Sequence, residues 1–208
     1  RINPQFSTQT GHAIYDPCSK GSRLGIIAAN FPETLPDWIE GLHFHTLCEQ
    51  NSDALEATLC AVEEKFGKHL KRIKWINFGG GHHITRADYD IARLKRCINK
   101  MADKYGLEVY LEPGEAVALN AGELISEVLD IVENDGKIAL LDASAACHMP
   151  DVIEMPYTPP LANAGKPGEK GFDYTLAGAT CLAGDVIGKY SFNAPLKIGD
   201  RVKFQDMA

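Results

Sequence analysis

The chain is organised around one stretch, Trp75-Ile76-Asn77-Phe78-Gly79-Gly80-Gly81-His82-His83, which predicts a β-strand that ends in three consecutive glycines. Three glycines leave the backbone without Cβ atoms, so its N–H groups can come close to an anion. Where such a loop faces the N-terminus of a helix, the site favours a phosphate group. An ordinary flexible turn between a strand and a helix is the alternative interpretation of the triplet taken alone.

Two more strands are predicted around this one, at residues 42–46 and 107–111, and a helical pattern fills each interval between them. The alternation of strand and helix with short connections implies parallel strands joined by right-handed crossovers. Each strand is followed by a polar or glycine-rich motif. Because active sites of β/α barrels are built where the strands end, these motifs are expected to share one site.

The helices are predicted from their apolar spacing and their end signals. Asp53 and Glu56 form a plausible capping box for the first helix, and Gly67 suits its C-terminus. The second helix is predicted to begin near Thr85 and to end at Gly106. Their predicted buried faces comprise Leu55, Leu59, Val62 and Phe66 in the first helix, and Ile91, Leu94, Ile98, Met101 and Tyr105 in the second.

The pattern changes after about residue 120. Residues 124–133 and 137–143 are strand-like, and Asn134-Asp135-Gly136 between them predicts a hairpin. Further strands are predicted around residues 174–176, 185–192 and 201–205. We therefore expect two domains, a β/α domain at residues 1–119 and an antiparallel β domain at residues 120–208. A complete eight-unit barrel needs roughly 250 residues, so the first domain is expected to be part of a larger barrel.

Composition excludes several classes of partner. The 208 residues carry a net charge of -7 and no basic cluster, so nucleic acid is not expected, whereas a small cationic substrate is compatible. No apolar run is long enough to span a bilayer, so no membrane partner is expected. Six cysteines without a C-x-x-C pair predict free thiols in a reducing, cytoplasmic compartment.

The strand ends bring together an imidazole, the glycines and a carboxylate: His45, Gly79 to Gly81 and Glu112. This set suits a flat phosphorylated cofactor, because the glycines would hold its phosphate and His45 would stack on its ring. Glu112 would pair with a protonated ring nitrogen and make the ring a better electron acceptor. A turn or helix-capping role is the alternative for Glu112.

A zinc site is the alternative for the histidines. His43 and His45 occupy alternate positions, hence one face of their strand, and His82, His83 and His148 are possible additional ligands. A buried structural histidine held by hydrogen bonds is the third interpretation.

The second half carries one cysteine and several carboxylates of interest. Cys181 lies among small residues at positions 178–185, where it is either a buried inert thiol or a positioned proton donor. Asp142, Asp151, Glu154 and Asp185 lie near loop signals and would suit a substrate that carries amines.

Taken together, five segments resemble the alanine racemase-like, ornithine decarboxylase-like family of pyridoxal phosphate enzymes. They are HFHTLCEQN at 43–51, WINFGGGHH at 75–83, LEPGEAV at 111–117, LLDASAACHMPDVIEMPY at 140–157 and GATCLAGD at 178–185. The match covers essentially the whole chain in order. It implies an α/β fold, namely the C-terminal part of a pyridoxal-phosphate-binding (β/α)8 TIM barrel plus an antiparallel β domain.

The resemblance implies roles for the candidate residues. His45 stacks on the cofactor ring, Gly79 to Gly81 hold its phosphate and Glu112 meets its ring nitrogen. Cys181 matches the family's catalytic cysteine, which reaches into the partner subunit of a homodimer with shared active sites and returns a proton after CO2 leaves. The implied substrate-binding residues are Glu115, Asp151, Glu154 and Asp185.

Departures from the family pattern limit the range of expected substrates. Glu115 and Leu182 stand where ornithine decarboxylases have Arg and Asp, and both fit the branch that acts on carboxynorspermidine and carboxyspermidine in polyamine biosynthesis. The lysine that binds the cofactor and a tyrosine that contacts the phosphate have no counterpart here, so we expect the chain alone to be inactive.

Other functions remain open from the sequence. Within the fold, the chain could be a diaminopimelate or arginine decarboxylase. A zinc-dependent barrel hydrolase and a non-catalytic regulatory homologue are the alternatives from other classes.

Overall fold

The structure is a computed structural model that describes residues 1–11 and 13–207. It divides into two compact units, Arg1–Val117 and Ala118–Ala208, and each has its own hydrophobic core. No helix within the described ranges is long and apolar enough to cross a membrane.

Parallel strands form both sheets of the first unit, as predicted for its central strands. The short strands β1 (Ile2–Asn3) and β2 (Ile26–Ile27) pair with each other in the N-terminal part. The second sheet has three strands, in the order β3 (Gly41–His43), β4 (Trp75–Asn77) and β5 (Glu108–Tyr110). Two 3-10 turns, Ala13–Tyr15 and Ala28–Asn30, flank β2 in the irregular N-terminal part.

Helix α1 (Ser52–Leu70) begins one residue before the predicted start. The predicted capping box of Asp53 and Glu56 is wrong, because Asn51 is the N-cap and its Oδ1 accepts from the Ser52 N–H at 2.7 Å. The same oxygen accepts from the Asp90 N–H at 3.0 Å, so the cap also holds a distant segment.

The C-terminus of α1 also differs from the prediction. Gly67 lies inside the helix, and Lys71 is the C-cap. The reason is packing, since Phe66 and Leu70 are both fully buried and the apolar face extends past the glycine. The predicted face of Leu55, Leu59, Val62 and Phe66 is confirmed, with every member at most 1% exposed.

Helix α2 (Ile91–Tyr105) begins later than the predicted start near Thr85. The intervening residues form turns, and the N-cap is Asp90, whose Oδ1 accepts from the Arg93 N–H at 2.8 Å. Ile91 is 41% exposed, so its predicted place on the buried face is wrong. The predicted end is confirmed, since Gly106 is the left-handed C-cap with φ of 70°.

The three-stranded sheet has two unlike faces, as the alternation of burial shows. Leu42, Phe44, Ile76 and Phe78 are buried in the core that α1 and α2 cover. The opposite face carries a row of His43, Asn77 and Tyr110, which are cross-strand neighbours. That second face leads to the polar strand ends.

The second unit is a five-stranded sheet, and it is mostly antiparallel as predicted. The strand order is β10-β6-β7-β8-β9, with β7 and β8 the parallel pair. The predicted hairpin is confirmed, with Asp135 and Gly136 at positive φ between the paired residues Glu133 and Lys137. The strands are β6 (Glu123–Glu133), β7 (Lys137–Leu141), β8 (Phe172–Ala177), β9 (Val186–Phe192) and β10 (Arg201–Gln205).

Three short helices complete the fold. Helix α3 (Gly114–Ala118) follows β5, and α4 (Ala145–His148) and α5 (Asp151–Glu154) lie between β7 and β8. Ser144 is the N-cap of α4, and its Oγ accepts from the Cys147 N–H at 3.1 Å.

Candidate functional site

The ends of β3, β4 and β5 are held side by side by backbone hydrogen bonds that continue beyond the strands. The Phe44 N–H donates to the Asn77 carbonyl at 3.0 Å, and the Phe78 N–H donates to the Tyr110 carbonyl at 2.9 Å. The Glu112 N–H donates to the Gly79 carbonyl at 2.9 Å. The predicted meeting of the three strand ends is therefore seen in the structure.

The glycine loop, residues 79–81, is where these strand ends approach most closely. A Cβ atom on Gly79 would lie 2.5 Å from the Phe44 carbonyl oxygen, and one on Gly81 would lie 2.2 Å from the Leu47 carbonyl oxygen. Both glycines also have positive φ, at 72° and 78°. Backbone atoms cannot move away cheaply, so the loop accepts no side chain at either position.

Two N–H groups of the glycine loop already have acceptors. The Gly79 N–H donates to Asn77 Oδ1 at 2.8 Å, which closes the turn after β4. The Gly80 N–H donates to His45 Nδ1 at the longer distance of 3.3 Å. Gly79 therefore shapes the loop, whereas the weaker bond of Gly80 is the one that an anion oxygen can replace.

His45 is half-buried beside the loop and is held as a neutral imidazole. Burial lowers its pKa, the positive charge of Arg1 lowers it further, and the negative charge of Glu112 opposes both. Because Nδ1 accepts from Gly80, the ring proton of the neutral form is on Nε2.

Glu112 is exposed at the end of β5, and a neighbouring strand orients it. Asn77 Nδ2 donates to Glu112 Oε1 at 2.7 Å. Asn77 thus holds the carboxylate with its amide nitrogen and the glycine loop with its amide oxygen. Asn77 is not among the predicted site residues, although its place at the end of β4, two residues before the first glycine, was a usable signal.

A cavity of about 380 Å³ lies against the glycine loop. Its lining includes His45, Leu47, Cys48, Gly81, His82 and Glu115. The next element along the chain, α2, begins only at Ile91, so residues 82–90 separate the glycine loop from the N-terminus of a helix.

His82 is the most deeply buried polar group of this cavity, with 2% of the residue exposed. Burial lowers its pKa to about 4, and the nearby carbonyls of Phe78 and Gly79 only partly oppose that shift. Among the described residues, neither ring nitrogen has a hydrogen-bond partner of normal geometry. The ring is therefore neutral at physiological pH.

Glu115, a predicted substrate-binding residue, is fixed in the first turn of α3. His83 Nε2 lies 3.0 Å from Glu115 Oε2, and Thr85 Oγ1 donates to Glu115 Oε1 at 2.7 Å. The carboxylate remains 36% exposed, so it can still face an amine in solution.

Within the described residues, no three or more His, Cys, Asp or Glu side chains are arranged to hold a metal ion. The alternating burial of residues 41–45 places His43 and His45 on one face, as predicted. His148, another zinc candidate, lies in the second unit, where its Nδ1 accepts from the Ser144 N–H at 3.1 Å.

The remaining predicted residues belong to the second unit. Cys181 is exposed, so the buried-thiol interpretation is wrong. Asp151 and Glu154 are both exposed in α5. Asp185 is 3% exposed, and Asp142 accepts from Ser126 Oγ and the Glu127 N–H, which lowers its pKa.

Comparison with known proteins gives a consistent result. Residues 13–208 match the family model described as pyridoxal-dependent decarboxylase, C-terminal sheet domain. The carboxynorspermidine/carboxyspermidine decarboxylase of Campylobacter jejuni is 49% identical over 99% of this chain and 56% of its own length. The carboxyaminopropylagmatine decarboxylase of Synechocystis is 43% identical over 100% of this chain and 54% of its own length.

Solved structures agree with these matches. The carboxynorspermidine decarboxylase of Campylobacter jejuni, crystallised with norspermidine, has a TM-score of 0.81 and 52% identity over 90% of this chain and 54% of that one. The arginine decarboxylase of Paramecium bursaria Chlorella virus has a TM-score of 0.63 at 22% identity, over 80% of this chain and 48% of that one, and shares the fold. The chain spans about half the length of the curated relatives it matches.

Proposed function

This chain belongs to the family of pyridoxal-dependent decarboxylases, and we propose that it is part of an enzyme that removes CO2 from carboxynorspermidine and carboxyspermidine. The products would be norspermidine and spermidine. One observation carries the proposal: His45, the glycine loop and the Asn77–Glu112 pair meet at one end of a parallel sheet. Two relatives, at 49% and 52% identity, support this substrate class.

The residues present fit pyridoxal phosphate. The glycine loop leaves no room for side chains, and the Gly80 N–H can exchange its long bond to His45 for a phosphate oxygen. A neutral His45 ring is suited to lie against a pyridine ring, and Glu112, which Asn77 orients, would pair with the ring nitrogen. When bound, the cofactor ring accepts the electron pair that remains on the α-carbon after CO2 leaves.

Cys181 would supply the proton that completes the reaction. The bond between the α-carbon and the carboxylate breaks, and the thiol proton is transferred to the α-carbon. Solvent then reprotonates the thiolate. The exposed position of Cys181 supports this role, since the thiol can reach a reacting carbon. We place the thiol in the partner subunit's site of a homodimer with shared active sites.

The substrate's amines would be bound by carboxylates. Glu115 lines the cavity at the glycine loop, and Asp151 and Glu154 are exposed in α5. A polyamine precursor carries more positive charge than ornithine, so several carboxylates suit it better than one. The division of the chain near residue 118 supports a barrel domain at residues 1–119 and a β domain at residues 120–208.

A second substrate is favoured by a specific finding. The Synechocystis relative, at 43% identity, is a carboxyaminopropylagmatine decarboxylase. Carboxyaminopropylagmatine is therefore the main alternative substrate, ahead of diaminopimelate and arginine.

The test is CO2 release by the full-length protein with pyridoxal phosphate on a panel of these acids, together with ornithine and lysine. We expect kcat/KM for carboxynorspermidine or carboxyspermidine to be at least about tenfold higher than for every other acid of the panel. Tenfold corresponds to a difference of about 1.4 kcal/mol in transition-state stabilisation. A higher value for carboxyaminopropylagmatine would reassign the substrate. Cofactor binding without CO2 release from any acid would contradict decarboxylation itself.

A further inference from the structure

The cysteine loop, residues 178–185, connects β8 to β9 and is closed at its base. The Gly178 N–H donates to the Asp185 carbonyl at 3.0 Å, and the Asp185 N–H donates to the Leu182 carbonyl at 2.9 Å. Cys181 is exposed at the far side of this closed turn. Backbone bonds alone therefore fix the ends of the loop more firmly than its centre.

Thr180 holds the centre of the loop on both sides of the cysteine. Its Oγ1 donates to Asp185 Oδ2 at 2.6 Å and accepts from the Leu182 N–H at 3.4 Å. One hydroxyl group thus connects the residues before and after Cys181 to a buried carboxylate. A bond to an ionised carboxylate is about twice as strong as one between neutral groups.

Asp185 links the loop to a segment distant in sequence. Its Oδ1 accepts from the Ala145 N–H at 2.8 Å and the Ala146 N–H at 3.3 Å, at the start of α4. With 3% of the residue exposed and both oxygens bonded, Asp185 is better suited to hold protein segments than to bind a substrate amine.

Gly178 shows how closely these segments are packed. A Cβ atom at this position would lie 2.2 Å from Asp185 Oδ2 and 2.4 Å from Ser144 Cβ. The loop base, the carboxylate and the residue before α4 are therefore in close contact.

We propose that Thr180 and Asp185 are positioning residues for the Cys181 thiol, because they fix the cysteine loop to the start of α4, so that the thiol can return a proton to the substrate carbon. The proposal rests on the proposed role of Cys181. It also changes the expected role of Asp185 from amine binding to positioning.

The test uses the full-length protein with pyridoxal phosphate and compares Thr180→Val with Thr180→Ser. Valine keeps the shape of threonine and removes the hydroxyl, whereas serine keeps the hydroxyl. For Thr180→Val we expect kcat to fall at least about tenfold while KM changes less than about threefold, because proton return is slowed and substrate binding is not. Thr180→Ser is expected to restore most of kcat.

Two further readouts separate positioning from a general loss of structure. The solvent deuterium isotope effect on kcat should rise in Thr180→Val, since proton return becomes slower. In the cofactor-free protein, amide hydrogen exchange should accelerate in residues 178–185 and stay unchanged in β6.

Each result decides the proposal. Faster exchange in the loop with unchanged kcat would overturn it. Full turnover by Cys181→Ala would instead overturn the proposed role of the cysteine. If Thr180→Val does not fold, Thr180→Ala replaces it, because alanine also removes the hydroxyl that bonds to Asp185. An unchanged kcat and isotope effect in that variant would also overturn the proposal.

Discussion

The glycine loop and the cysteine loop are both tightly packed, but different atoms hold them. Around the glycine loop the obstacles to a side chain are backbone carbonyls, those of Phe44 and Leu47. Around the cysteine loop the nearest obstacle is a side chain, the carboxylate of Asp185. A site built on backbone atoms tolerates almost no substitution, whereas one built on a side chain can adjust at a smaller cost.

The largest effect is expected from Gly81→Ala. The new Cβ would lie 2.2 Å from the Leu47 carbonyl oxygen, and alanine would have to adopt φ of 78°. We expect a loss of about 3 kcal/mol or more in the free energy of unfolding and at least about a hundredfold weaker binding of pyridoxal phosphate. Urea unfolding and a cofactor titration measure the two quantities.

Gly184→Ala is the matched control for that experiment. A Cβ atom on Gly184 meets no atom within 4 Å. Its free energy of unfolding should change by less than about 0.5 kcal/mol. Equal losses in the two variants would contradict the distinction between the loops.

Gly178→Ala is expected to have a smaller effect than Gly81→Ala. Its Cβ would lie 2.2 Å from Asp185 Oδ2 and 2.4 Å from Ser144 Cβ, both of them side-chain atoms, and φ is not positive here. The expected loss is about 1–3 kcal/mol in the free energy of unfolding, from displacement of the carboxylate. A loss larger than that of Gly81→Ala would reverse the comparison.

Acid should destabilise the first unit through His82. Its pKa is about 4 in the folded protein against an ordinary value of 6.5, so the unfolded chain binds the extra proton first. Stability is therefore unaffected above about pH 6.5 and falls as the pH drops from about 6.5 to about 4, by about 3 kcal/mol in total.

Urea unfolding at several pH values tests this effect. Tryptophan fluorescence is the suitable signal, since Trp38 and Trp75 both lie in the first unit. His82→Asn should lose this part of the pH dependence. An identical pH profile of stability in the unaltered protein and in His82→Asn would show that His82 does not cause the loss of stability in acid.

Asn77→Asp separates the two functions of Asn77. Aspartate keeps the oxygen that accepts from Gly79 but places a negative charge beside Glu112. We expect about tenfold weaker binding of pyridoxal phosphate, equivalent to about 1.4 kcal/mol, with little change in stability. A cofactor titration and a thermal melt on the same sample measure both, and unchanged affinity would show that Asn77 only shapes the loop.

Glu115→Gln is expected to have only a small effect on stability. The pair of His83 with Glu115 is partly exposed, so its loss should cost less than about 1 kcal/mol. If Glu115 binds an amine of the substrate, KM for carboxynorspermidine should nevertheless rise about tenfold. An unchanged KM would remove Glu115 from the binding site.

The correct predictions rest on residues adjacent in sequence or on patterns that run through the whole chain. The parallel strands, the Asn134-Asp135-Gly136 hairpin and the end of α2 at Gly106 are confirmed. The resemblance to pyridoxal phosphate decarboxylases is confirmed by the family match and by the C. jejuni structure. These signals are local, or they are spread over many residues of the chain.

Errors arose where distant contacts decide the outcome. The N-caps Asn51 and Asp90 could not be ranked above Asp53 and Thr85, because Asn51 is fixed by a bond to a residue 39 positions away. For the same reason, the sequence suggested an amine-binding carboxylate at Asp185, whereas both of its oxygens are bonded within the protein. The roles of His45, Glu112 and Cys181 remain predictions.

The cap at Asn51 has a consequence for the order of folding. Its side-chain oxygen accepts from the N–H groups of Ser52 and Asp90, and its Nδ2 donates to the Asp88 carbonyl at 2.9 Å. The side chain of Asn51 therefore connects the starts of two helices that lie far apart in sequence. The bonds from Asn51 to residues 88 and 90 form only when a long chain loop has closed, so the first turns of α1 and α2 should form and fray as one cooperative unit.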